Sequence, residues 1–219
     1  RAADGVCVLE LCDTAHFNAL SSGLASDLGA AVSHVVQLPA VSAVVLQAAG
    51  PHFCIGANPH ERQDCDVPLT TLSRRLLSIS VSCCSLCSLA VPVIAAVHGH
   101  VVGGGVALSL TAGYLIGVES CTFEHGNLPR GVCPLAGFSQ TLVARVGRPL
   151  ALALYLTNAV ISAVQALSCR LVDEVRASVC GAQSRAMQLA GCAGALGVHA
   201  LVPTRPTDGE VLALEATGH

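Results

Sequence analysis

The chain has 219 residues, of which 53% are hydrophobic and 11% charged, with a formal net charge of −3. It is long enough to bury a sizeable single core and too apolar for intrinsic disorder, and the absence of a basic run or an aromatic-studded basic face argues against nucleic-acid binding. It contains no lysine, which excludes Schiff-base chemistry and a lysine general base.

In chain order, an apolar strand over residues 6–11 is followed by a loop and a helix over 22–38, with Leu24, Leu28, Ala31, Val32 and Val35 at helical spacing and Pro39 as its stop. Residues 41–47 read as a strand, 49–51 as a turn, and 53–58 as a segment broken by glycine. A polar stretch over 61–68 precedes a long helix over 69–89, closed by Pro92. Residues 93–97 form a strand, 104–112 a buried helix, and 114–118 another strand. An extended piece over 121–124 leads through a loop at 125–135 to helices over 137–146 and from 151. A helix over 162–167 carries a serine cap. A strand over 171–175 and a helix over 183–196 complete the series. Alternating strands and helices indicate an α/β fold.

The uncharged stretch over 76–118 is long enough for a membrane span. Pro92, three glycines and the scattered serines favour a buried helix, a core strand and a second helix instead. No signal-peptide pattern precedes the first strand. The first residue, Arg1, leads us to expect a segment of a longer polypeptide. Twelve cysteines raise the question of disulfides or zinc. Cys83, Cys84 and Cys87 cluster, but no second pair stands at zinc-site spacing. Cys7, Cys12, Cys121, Cys169 and Cys180 lie in or beside apolar runs. They read as small core hydrophobes in a reducing, cytoplasmic compartment, with no metal.

The most informative stretch is Val-His-Gly-His-Val-Val-Gly-Gly-Gly-Val-Ala over residues 97–107, directly after the strand at 93–97. Glycines there leave bare backbone where side chains would block a ligand. At the start of a helix, unpaired N–H groups suit a developing negative charge on oxygen. The segment Phe53-Cys54-Ile55-Gly56-Ala57-Asn58 also follows a strand and also breaks at glycine.

These two segments, with His16-Phe17-Asn18-Ala19-Leu20, Thr122-Phe123 through Gly131 with Pro134 and Gly137, Leu156-Thr157-Asn158 through Ala166, and Leu171-Val172-Asp173-Glu174-Val175, resemble the crotonase (enoyl-CoA hydratase/isomerase) superfamily over residues 6–175. Six motifs in order and at the right spacing carry the resemblance. It implies an α/β spiral of ββα units in a single domain spanning 1–219. Trimers are usual in the family, and the C-terminal assembly region looks short here.

By the same resemblance, the amides of Ala57 and Gly104 form an oxyanion hole for a thioester carbonyl, with Asn58 and Gly103 beside them. The family's two glutamates fall at Ala107 and Asn127, where no carboxylate stands, so ordinary hydration loses its acid–base pair. His125 is then the candidate to move a proton, set against a plain loop or core histidine. Asn127 is a candidate hydrogen-bond donor to the acyl group. His100 reads either as a site residue or as structural support, and His60 and Glu61 as rim residues or a polar loop face. Arg130 either binds a substrate carboxylate or pairs with Glu124. His98-Gly99-His100 and Glu119-Ser120 resemble members attached to polyketide synthases, which act on acyl groups tethered to a carrier protein.

The resemblance thus implies an enzyme, a lyase or isomerase, acting on an acyl thioester of CoA or acyl carrier protein through a stabilised enolate. Hydration or dehydration, decarboxylation and isomerisation stay open. The CoA or phosphopantetheine arm arrives with the substrate, and no tightly bound cofactor is expected. The expected partners are that thioester and further copies of the chain, not nucleic acid or membrane. The rival reading is a non-catalytic thioester-binding or scaffold module.

Overall fold

The computed structural model describes residues 2–3, 5–57 and 69–196. A six-stranded sheet runs in the order β1 (Ala2–Ala3), β2 (Val6–Leu11), β3 (Ala43–Ala48), β4 (Val93–Val97), β6 (Tyr114–Val118) and β9 (Glu174–Arg176). All its neighbours are parallel except β1 and β2. A smaller sheet has the order β5 (His100–Val102), β7 (Thr122–Glu124) and β8 (Ile161–Ser162). There β5 and β7 are parallel, and β8 is antiparallel to β7.

Successive passes repeat one form. β4 lies in the large sheet, β5 in the small one, and α3 (Gly104–Ser109) follows. β6 and β7 repeat the pairing before α4 (Phe138–Val146) and α5 (Arg148–Thr157). In the preceding pass, β3 leads to Cys54, which bridges Val101 of β5, and then to α2 (Leu69–Cys87). This is the expected spiral of ββα units.

Two cores flank the large sheet. Side chains alternate along a strand, so Val44 and Leu46 of β3 enter the larger core while Ala43 and Val45 enter the smaller. The larger core takes Ala25, Leu28, Val32 and Val35 of α1 (Ser22–Gln37), and α1 packs on α2. Ser21 caps α1 by accepting from the Leu24 amide. The smaller core is closed by α7 (Val179–Leu196), whose Ala182, Ala186 and Ala190 lie on one helical face. Strands covered on both faces read as unbroken apolar runs. That double burial explains the span-like stretch over 76–118, and no helix among the described residues is long and apolar enough to cross a membrane.

Several sequence expectations need correction. The last strand is Glu174–Arg176 rather than 171–175, because Leu171 and Val172 turn into the core ahead of it. The helix after the glycines ends at Ser109, where the chain turns into β6. His100, between the strand at 93–97 and the glycines, lies on a further strand, β5, that the sequence reading did not identify. Helix α5 begins at Arg148, with a proline in its first turn. Helix α7 starts at Val179, ahead of the expected 183. Of the cysteines read as core, Cys7 and Cys121 are buried and Cys169 is partly buried, whereas Cys12 and Cys180 are exposed. Burial pushes the Cys54 and Cys121 thiols up to about 12, so both stay protonated and unreactive.

Candidate functional site

The site is built where the two glycine-broken segments meet. Asn18, fully buried, donates from Nδ2 to the carbonyls of Ala49 and His52 and so ties down the turn before Phe53. The Leu20 amide donates to the Gly56 carbonyl at 2.7 Å, and Leu20 bridges Ala57. From the other side, the Val102 amide donates to the Cys54 carbonyl at 3.2 Å. A strand-like seam therefore holds residues 54–57 between Leu20 and β5.

Each glycine of the triplet has its own reason. Gly103 caps α3 at φ +52, ψ −112, a conformation that L side chains avoid. Gly105 lies directly against the Cys54 carbonyl. Gly104 faces the gap between the segments, and a methyl group there would sit 3.9 Å from the Ala57 nitrogen. Ala57 is exposed and Gly104 half-buried. Among the described residues, neither amide donates to a protein acceptor. Two uncommitted N–H donors on adjoining segments can receive one oxygen between them.

Asn127 borders the same place. It is 7% exposed, and its Oδ1 lies 3.6 Å from where a Gly103 side chain would begin. Its Nδ2 donates to the Cys133 carbonyl, and its Oδ1 has no hydrogen-bond partner among the described residues. Ala107 is buried in the larger core. Asn58, His60 and Glu61 lie outside the described residues.

His125 is placed differently. Its ring stacks on Phe138, with centroids 4.5 Å apart, and meets Tyr155 edge-on at 5.0 Å. It lines a cavity between α4 and α5 whose wall contains neither Ala57 nor Gly104. Burial pushes its pKa down, while its own carbonyl and the Asn127 side chain pull the other way. His100 is exposed, with Nδ1 2.7 Å from Thr122 Oγ1 and its ring 4.8 Å from that of His52. Arg130 is held within the protein, donating to the Gly126 carbonyl at 2.7 Å and to Glu124 at 3.2 Å. The structure thus joins Ala57, Gly103, Gly104 and Asn127 and sets His125, His100 and Arg130 around them.

Sequence reasoning missed Asn158. It sits in the left-handed region at φ +50, which asparagine tolerates better than most residues. Its side chain accepts from the Gly126 amide and donates to Glu124. Burial alone would raise the Glu124 pKa, but hydrogen bonds from Asn158 and Arg130, with the nearby positive charge, hold it below the usual range. Glu124 is therefore fixed as an anion and is unsuited to donate a proton. Arg148 and Tyr155, which line the His125 cavity, were also missed, because nothing local in the sequence brings α5 to the loop after β7.

Residues 1–191 match the family model described as enoyl-CoA hydratase/isomerase. The chain belongs to the enoyl-CoA hydratase/isomerase family. Among the relatives in this family, the mitochondrial enoyl-CoA hydratase of Pongo abelii is 33% identical, over 72% of this chain and 53% of its own length. The peroxisomal Delta(3,5)-Delta(2,4)-dienoyl-CoA isomerase of Arabidopsis thaliana is 29% identical, over 73% of this chain and 61% of its own. The chain thus spans a little over half the length of the curated relatives it matches. The crystal structure of an enoyl-CoA hydratase from Bacillus anthracis superposes with a TM-score of 0.81 at 28% identity, covering 86% of this chain and 72% of that one. This family member therefore has the crotonase fold.

Proposed function

We propose that this chain binds an acyl thioester, carried by CoA or by an acyl carrier protein, and stabilises its enolate between the amides of Ala57 and Gly104. The observation that carries the reading is the pair of uncommitted amides brought together by the two glycine-broken segments. Relatives named as hydratase and isomerase support a thioester substrate and a lyase or isomerase reaction. Asn127 hydrogen-bonds the acyl group, and Gly103 completes the wall. Proton transfer falls to His125, whose buried ring is neutral near pH 7 and so begins in the form a base requires. The ring's place beside Phe138 and Tyr155 means it acts on an acyl chain that reaches past Asn127. With Ala107 and Asn127 at the glutamate positions, the reading favours decarboxylation or isomerisation over hydration, in a chain working alongside a polyketide synthase. In the same reading, residues 1–219 form one crotonase-like domain in the cytoplasm. The exposed apolar side chains of Val160, Val164 and Leu167 are buried in a homotrimer.

One observation favours a second reading, a binding module without turnover. Glu124, whose backbone carbonyl accepts from the Gly103 amide, has its carboxylate committed to Asn158 and Arg130. Mass spectrometry of 3-hydroxyacyl, enoyl and glutaconyl thioesters, on CoA and on carrier protein, separates the two. Gain or loss of water, or loss of carbon dioxide, establishes an enzyme and names its branch. An unchanged panel with thioester binding establishes the module, and absence of binding overturns both. In an active chain, Ala57→Pro removes one donor and is expected to lower the rate roughly 10²–10³-fold.

A further inference from the structure

The cavity beside His125 has features that the oxyanion pair does not use. It measures about 250 Å³ and lies between α4 and α5, with Leu142, Val143 and Leu152 supplying apolar wall. Close-packed interiors leave few voids larger than a water molecule. A dry cavity of roughly 150 Å³ already holds benzene. This volume is large enough for a small organic molecule.

Its two ends are polar in different ways. At the inner end lies the His125 ring, 6% exposed and stacked on Phe138. Tyr155 stands beside it with its ring edge toward the imidazole. At the outer end is Arg148, the first residue of α5, exposed and paired with no carboxylate among the described residues. Gly147 caps α5 without a side chain; Pro149 in the first turn has no N–H, so the Arg148 amide and the helix's positive dipole end remain there. Arg148 and Tyr155 are two helical turns apart on one face, about 10 Å along the axis.

We propose that this cavity binds a small apolar carboxylate. Arg148 and the start of α5 take the carboxylate, and Leu142, Val143 and Leu152 take the hydrocarbon. The His125 ring and Tyr155 meet a hydroxyl or carbonyl at the far end. Two sources offer this chemistry: a free hydroxy- or oxo-acid, and the distal carboxylate of a dicarboxylic acyl thioester. The site stands whether or not Ala57 and Gly104 bind a thioester.

The test is an NMR titration of the whole chain with 8-hydroxyoctanoate and with 1,8-octanediol, following the His125 and Tyr155 side-chain signals. The acid is expected to saturate, to move both signals, and to bind more tightly than the diol. Arg148→Gln, an exposed change that leaves the core intact, should weaken the acid about tenfold or more and leave the diol unchanged. Val143→Phe, which narrows the cavity, should weaken both. No saturable binding, equal binding of acid and diol, or an acid affinity that Arg148→Gln does not move would each overturn the proposal. Competition then identifies the source. If suberyl-CoA displaces the acid and butyryl-CoA does not, the distal carboxylate of a thioester occupies the cavity. If neither displaces it, the ligand is a free acid. Failure of both thioesters to bind would count against the oxyanion reading and leave the acid result standing.

Discussion

A side chain on Gly105 would begin 2.1 Å from the carbonyl oxygen of Cys54. Two segments some fifty residues apart therefore touch backbone to backbone, and that contact places Ala57 opposite Gly104. At Gly104 itself the obstacle is different, the tip of Leu20 at 2.7 Å, which a rotamer change can move. Gly105→Ala should therefore cost about 3 kcal/mol of stability, and Gly104→Ala about 1 kcal/mol. The order reverses for thioester affinity per unit of stability lost, since only Gly104→Ala puts a methyl group in the gap beside the Ala57 amide. Urea midpoints and acyl-CoA titrations on the two variants check both orders.

The glycines were legible in the sequence because backbone needs are local: a strand followed by a break at glycine says that side chains are unwelcome there. The strands β4 and β6 were legible for the same reason, as apolar runs with turn residues at each end. The direction of the His125 ring was not. It depends on Gly126 at φ +73 and on Phe138 and Tyr155 from α4 and α5, none of which a loop sequence reveals. β5 escaped notice because three residues between two glycine turns carry too short a pattern, and only pairing with β7 defines them. Asn158 was visible only as part of the segment from Leu156 to Ala166, and its two hydrogen bonds needed the fold.

His125 should make the protein less stable in mild acid. Its folded pKa lies below the ordinary 6.5, so as the pH falls below that value the unfolded chain takes up the proton first. Stability is full above about 6.5 and declines as the pH drops toward the folded value. His52, also held below 6.5 by burial and by its neighbours His100 and His98, acts in the same direction. The comparison with His125→Phe isolates one ring. Urea midpoints at pH 7.5 and 5.5 should fall less for the variant than for the parent. An equal fall would show that His125 titrates normally.

Glu174 joins the last strand to α7 and gives the opposite ionisation with the same overall trend. It accepts from Arg185 at 3.1 Å and from the Tyr114 hydroxyl, and it pairs with Arg176. Burial alone would raise its pKa, but the hydrogen bonds and charges of Arg185 and Arg176 hold it below 4.5. Its contribution is therefore complete above about 4.5 and is lost as the pH falls through the folded value. Glu174→Gln should cost about 1 kcal/mol at neutral pH and progressively less below pH 4. Thermal melts across that range measure the convergence, and a constant difference would mean that the carboxylate's charge contributes nothing.

The capping box at Ser162 gives a prediction free of ionisation. Ser162 accepts from the Gln165 amide at 3.3 Å, and the Gln165 side chain accepts from the Ser162 amide at 2.8 Å. Both donors are otherwise orphaned at the start of α6 (Ala163–Ser168), a helix of six residues with little internal bonding to spare. Ser162 also ends β8, paired with Thr122 of β7, so the cap fixes where the small sheet hands over to the helix. Ser162→Ala should cost about 1 kcal/mol and Ser162→Asp almost nothing, because aspartate caps as well. Equal losses for the two would show that the serine matters for the strand pair rather than for the helix. Hydrogen exchange at the Gln165 amide separates those cases: it should quicken in the alanine variant and stay slow in the aspartate one.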